Sequence, residues 1–189
     1  DQLFGGNNND TIYGDAGNDS LSGDKNDDIL YGGSGNDTLS GGEGDDLLFS
    51  ENGTDILDGG EDTDTVTFET SNESIQVKLT QNDEYDSNTG LGFATNTSGT
   101  SNDQLLNIEN IIGSEHNDNI TGNLSDNHLF GASGNDTIDG NMGDDTIEGG
   151  LGNDQLIGGE GTDSLFGGND SDTLIGGSGD DALYGESGD

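Results

Sequence analysis

A glycine, an aspartate five residues after it and an aliphatic residue two further on recur every nine positions, and this period constrains the fold more than any other feature of the chain. Residues 5–67 hold seven consecutive nonamers, of which 32–40, GGSGNDTLS, is the clearest. Residues 113–184 hold eight more, such as 149–157, GGLGNDQLI. The first position is Gly except at Ser50, the sixth is Asp except at Asn127, and the eighth is always Ile, Leu or Val.

No helix places a residue on one face every nine positions. A strand does so if positions seven to nine (Thr38, Leu39 and Ser40 in one copy) are extended with the middle side chain inward, since alternate strand residues face opposite sides. The six glycine-rich residues that follow turn the chain, with glycine taking the positive φ values such turns need. Two nonamers then complete one coil with a strand on each side, and repeats two apart stack about 4.8 Å from one another in parallel ladders. The expectation is an all-β solenoid. The absence of Pro agrees, because Pro removes a ladder N–H.

Such a coil lacks the means to hold itself together. Each repeat buries one aliphatic side chain, worth roughly 1.5–3 kcal/mol, against an ordering cost of about 1–2 kcal/mol for each of nine residues. The chain carries 41 acidic residues against two basic ones, Lys25 and Lys78, for a formal net charge of −39, and stacking lines the sixth-position carboxylates up in columns. Asp10, Asp28, Asp46 and Asp64 form one column and Asp19, Asp37 and Asp55 the opposite one. Like charges at that spacing repel unless a cation lies between them. Calcium suits the position, because it takes six to eight oxygens at about 2.3–2.6 Å, and a glycine-rich turn beside an Asp offers carbonyls and a carboxylate. Magnesium, which demands a rigid octahedron and keeps its waters, fits less well. The same charge excludes nucleic acid as a partner and argues against anionic membrane surfaces. No apolar run is long enough for a membrane helix, so no membrane insertion is expected. With no Cys there is no disulfide.

The units GGSGNDTLS, GGLGNDQLI and GGEGTDSLF (158–166) resemble the GGxGxDxUx nonapeptide of the repeats-in-toxin (RTX), or hemolysin-type, calcium-binding proteins. That resemblance implies a right-handed parallel β-roll with Ca²⁺ stacked in the turns, two repeats per coil, and export through a one-step secretion channel to the outside of the cell. It implies as calcium ligands the carboxylates of Asp10, Asp19, Asp28, Asp37, Asp46, Asp55, Asp64, Asp118, Asp136, Asp145, Asp154, Asp163, Asp172 and Asp181. It also implies loop carbonyls, typified by Gly32, Gly33, Gly35, Gly149, Gly150, Gly152, Gly158, Gly159 and Gly161. On the order of ten ions is expected from stacked loop pairs. Some loops depart from the pattern. Asn127 replaces the ligand Asp, and the loops opening at Ser50, Gly113 and Gly122 lack one or more glycines, so sites there are in doubt. Those opening at Gly23 and Gly59 carry Asn26 and Asp62 where glycine is usual, a tolerable change.

Three parts are expected: calcium-binding repeats over 1–67, a non-repeat enlarged coil or connector over 68–112, and calcium-binding repeats over 113–189. Within the middle part Ile75, Val77 and Leu79 alternate as a strand, and 105–114, LLNIENIIGS, leads back into the period. The chain begins and ends inside a repeat, as a fragment of a larger protein would, and contacts with further repeat domains are a possible partnership. No catalytic residue emerges. The carboxylates repeat identically, whereas an acid/base pair needs two different environments. His116 and His128 lack a second His at ligand spacing and read as surface residues. The aromatic ninth positions Tyr13, Tyr31, Phe49, Phe130, Phe166 and Tyr184 are expected to face outward. The leading expectation is an extracellular calcium-gated folding and scaffold module. The alternatives are a structural repeat of a surface layer or adhesin, and a carbohydrate-associated module of a polysaccharide-modifying enzyme.

Overall fold

The computed structural model describes residues 1–80 and 92–188, so 81–91 of the expected middle part lie outside the described residues. All regular structure among the described residues is β-strand, and no helix there is long and apolar enough to cross a membrane. Among the described residues one sheet has eleven strands and the other nine. Partners in each ladder lie 18 residues apart throughout the repeats: Leu21 opposite Leu39 in the first sheet, Leu30 opposite Leu48 in the second. Two nonamers therefore make one coil. The architecture is a parallel β-solenoid.

Eighth-position side chains from both sheets meet inside the coil. Leu30, Leu48, Leu57, Ile111, Ile120, Leu129, Ile138, Ile147, Leu156 and Leu165 are fully buried. Because each rung contributes one such residue per sheet, these residues make up most of the apolar core of the described repeats. Leu129→Ala is expected to cost about 2–5 kcal/mol, the range for a buried leucine whose cavity cannot collapse, and to lower the thermal midpoint of the folded, calcium-supplied chain.

Strands Thr11–Tyr13, Ile29–Tyr31, Leu47–Phe49 and Thr65–Thr67 keep to the three residues that the alternation predicts, whereas many others are longer. Thr38–Glu43, Gln155–Glu160 and others run on through the first three loop positions. Ladder pairing skips the first glycine and resumes at the next residue, as in Ser22 with Ser40 and then Asp24 with Gly42. The turn is thereby confined to positions four to six. There the rungs approach so closely that a Cβ on Gly35, at φ +136°, would overlap the carbonyl oxygen of Gly17 one coil below. Asn26 and Asp62 occupy the equivalent place at φ 73° and 80°, a left-handed conformation that Asn and Asp tolerate better than other side chains.

Residues 68–80 and 92–112 contribute strands to both sheets. In the eleven-stranded sheet the order runs Ile56–Glu61, Asn102–Leu106, Gly92–Asn96, Ile75–Lys78, Asn119–Thr121, with Gly92–Asn96 antiparallel to both neighbours. In the nine-stranded sheet Asn110–Ile112 bridges Thr65–Thr67 and His128–Ser133. Phe68, Ile75, Val77, Leu79, Ala94, Leu105, Ile108 and Ile111 join the core file here.

Of the ninth-position aromatics, Tyr13, Tyr31 and Phe49 stack in one row with centroids 4.7 and 4.0 Å apart, and Phe166 stacks on Tyr184 at 4.9 Å. Phe49 departs from the expected outward exposure: it is buried, with Tyr31 lying over it.

Candidate calcium sites

The sixth-position aspartates sit where the turn re-enters the strand, and most are buried; Asp28, Asp46, Asp64, Asp136, Asp145 and Asp163 are among the least exposed polar residues of the chain. One carboxylate oxygen of each is committed to the fold. Oδ1 accepts the backbone N–H of the sixth-position residue one coil earlier: Asp28 from Asp10 at 2.7 Å, Asp46 from Asp28 at 2.8 Å, Asp145 from Asn127 at 2.8 Å, Asp154 from Asp136 at 2.8 Å. Within each array these bonds tie the carboxylates of a column into a ladder.

The other oxygen is left over. Oδ2 of Asp10, Asp19, Asp28, Asp37, Asp46, Asp64, Asp136, Asp145, Asp154, Asp163 and Asp172 is buried with no hydrogen-bond partner. It lies so close to the repeat's first glycine that no side chain would fit there. A Cβ on Gly5 would meet Asp10 Oδ2 at 2.9 Å and the Gly23 carbonyl oxygen of the next coil at 2.8 Å. A carboxylate and a main-chain carbonyl oxygen lie together in this way at Gly5, Gly23, Gly41, Gly140, Gly149 and Gly158, and these are the hard donors that Ca²⁺ takes. Among the described residues no three or more His, Cys, Asp or Glu side chains converge. A cation here would be held by few carboxylates and by loop carbonyls. The donor set fits calcium on that basis, and the orphaned oxygens supply the reason for an ion.

Electrostatics points the same way. Burial, reinforced by neighbouring carboxylates, pushes the Asp46 carboxyl up to about 6 and those of Asp55, Asp64, Asp136 and Asp145 up to about 7. Burial also raises Asp28, Asp154 and Asp163, while the incoming backbone N–H pulls each back. Without a counter-charge, burial in the folded loops penalises the ionised form of these carboxyls.

Not every nominated residue is alike. Asp118 has both oxygens occupied by protein donors, and Asn127 is bonded through its amide to Asn123 and Glu109. Two residues outside the nine-residue frame extend the columns instead. Asp103 Oδ1 accepts the Asp55 N–H at 2.9 Å, and Glu109 Oε2 accepts the Asp64 N–H at 3.0 Å. Asp103-x-Leu105 and Glu109-x-Ile111 repeat the local spacing of positions six and eight, a signal available in the sequence. A second ladder lies beside the first, at position five: the Asn36 N–H donates to Asn18 Oδ1 at 3.0 Å and the Asp144 N–H to Asp126 Oδ1 at 2.8 Å. The restriction of that position to Asn, Asp, Thr and Ser was its mark in the sequence. His128 is exposed and paired with Glu148 at 2.8 Å, away from the loops.

A family profile described as the RTX calcium-binding nonapeptide repeat (4 copies) matches residues 1–30, 31–66, 112–147, 121–156, 139–174 and 157–189. Only 67–111 falls outside those matches. No curated protein sequence matches the chain. Among solved structures, the extracellular lipase LipA from Serratia marcescens is similar at 21% identity and a TM-score of 0.40, covering 87% of this chain. The chain spans 33% of that lipase's length.

Proposed function

Because the chain belongs to the RTX family of calcium-binding nonapeptide repeats, we propose that it is a calcium-dependent folding and scaffold module that works outside the cell and is not an enzyme. The orphaned Oδ2 atoms carry this reading. An unpaired buried acceptor costs about 1–3 kcal/mol, and more when charged. Eleven of them amount to a penalty on the order of 10–30 kcal/mol, against a typical net stability of roughly 5–15 kcal/mol. Calcium bound at the sixth-position aspartates and the loop carbonyls removes that penalty and the repulsion within each column.

The parts 1–67 and 113–189 are the calcium-binding arrays, and 68–112 joins them. At the low calcium of a cell interior the chain remains unfolded and easily exported, and millimolar calcium outside completes the roll. Its partners are calcium ions and, through its faces, further repeat domains. Isothermal titration is expected to show several calcium ions bound per chain, with magnesium failing to compete at equal concentration. Absence of calcium binding, or equal binding of both ions, would refute the proposal.

A further inference from the structure

We propose that the middle rungs of the roll take no calcium, so that the ion columns form two separate runs joined by a protein-closed clasp. This rests on the calcium reading above and concerns which loops are open to an ion.

In the arrays most sixth-position carboxylates spend one oxygen on a backbone N–H and keep the other without a partner, as Asp28, Asp46, Asp145 and Asp154 do. At the centre the second oxygen is consumed by side chains that the repeat consensus lacks. Ser114 stands where the second glycine belongs. Its N–H reaches Asp118 Oδ2 at 2.7 Å, and its hydroxyl lies 2.9 and 3.0 Å from the two carboxylate oxygens. Oδ1 of Asp118 also accepts the Ile75 N–H at 2.8 Å. Ser50, the one departure from glycine at position one, donates its hydroxyl to Asp103 Oδ2 at 2.6 Å, and the Ser101 hydroxyl adds a bond at 2.9 Å. The Asp55 N–H takes Oδ1 of Asp103.

On the opposite edge Glu109 Oε2 accepts the Asp64 N–H at 3.0 Å, and at the next position the carboxylate is replaced by the Asn127 amide. Asn127 Oδ1 accepts the Asn123 N–H at 2.8 Å, and Asn127 Nδ2 donates to the Glu109 carbonyl at 2.7 Å. An ion could enter these loops only by displacing several buried hydrogen bonds, and at Asn127 it would gain no charge in return. The replacements that look like decay of the motif at Ser50, Ser114 and Asn127 are hydroxyl and amide donors doing the ion's work. Consequently the arrays on either side load calcium as separate cooperative blocks.

The direct test is an anomalous-difference map from crystals of the full chain grown in calcium, recorded at long wavelength. Peaks are expected beside Asp37, Asp46, Asp145 and Asp154, with none beside Asp103, Asp118 or Asn127. A peak at any of those three overturns the clasp while leaving the calcium reading intact. A map without any peak overturns the calcium reading and the clasp with it. In solution, Asp136→Asn is expected to weaken calcium binding about tenfold and Asp118→Asn by less than about twofold. An equal loss in both variants would overturn the clasp.

Discussion

Asp145→Asn is expected to act in opposite directions with and without calcium. Asparagine keeps the Oδ1 acceptor that holds the Asn127 N–H at 2.8 Å, so the ladder survives. What it removes is a buried charge, crowded by Asp163, Asp126 and Asp144, whose carboxyl is pushed up to about 7. In chelator at neutral pH that removal is favourable, and the β-sheet signal of the variant should equal or exceed that of the parent. In calcium the same change deletes an anionic ligand. The calcium concentration at half-folding should rise about tenfold, equivalent to about 1.4 kcal/mol. Asp145→Ala should weaken the calcium-supplied fold further than Asn does and gain no β-structure in chelator, because the Asn127 N–H then loses its acceptor at about 1–3 kcal/mol. Circular dichroism of the three chains in chelator and in calcium separates these outcomes. Equal destabilisation by Asn under both conditions would make the carboxylate a purely structural acceptor.

Acid is expected to substitute in part for calcium. For Asp55, Asp64, Asp136 and Asp145 burial pushes the folded carboxyl up to about 7, whereas an aspartate of the unfolded chain titrates near its ordinary 3.8. Between those values the fold binds more protons than the unfolded chain, so its stability rises as pH falls. The contribution is complete below about pH 4 and is lost as pH rises through about 7. In chelator, far-UV dichroism should therefore show more β-structure at pH 5 than at pH 7.5. Calcium must displace those protons, so its apparent affinity should fall over the same interval. A metal-free chain that loses structure on acidification would contradict the burial of ionisable oxygens in the loops.

The register was legible in the sequence because a solenoid writes its core as a strict period: every eighth-position residue from Leu21 to Leu165 is buried in the described repeats. The two carboxylate columns followed from the same arithmetic. Strand length was less legible, since alternation stops at the glycines, and only the coil above them shows that Gly42 and Glu43 still pair. Asp103 and Glu109 were missed because they stand six residues apart, out of step with the period of nine, although each keeps the local spacing to an inward aliphatic. Phe49 was misjudged because its burial depends on stacking with Tyr31, a neighbour 18 residues away. That Ser50, Ser114 and Asn127 close loops could not be read from composition, because a serine or asparagine counts as a defect until its donor is seen on a carboxylate or carbonyl.

The most direct test of a calcium-made fold is far-UV circular dichroism of the chain at neutral pH during a calcium titration, with magnesium as control. A cooperative passage from coil to β between about 0.1 and several millimolar Ca²⁺, without a comparable change in Mg²⁺, is the expected result. A full β-sheet signal already present in chelator at pH 7.5 would contradict it, showing that the fold tolerates its buried carboxylates without an ion.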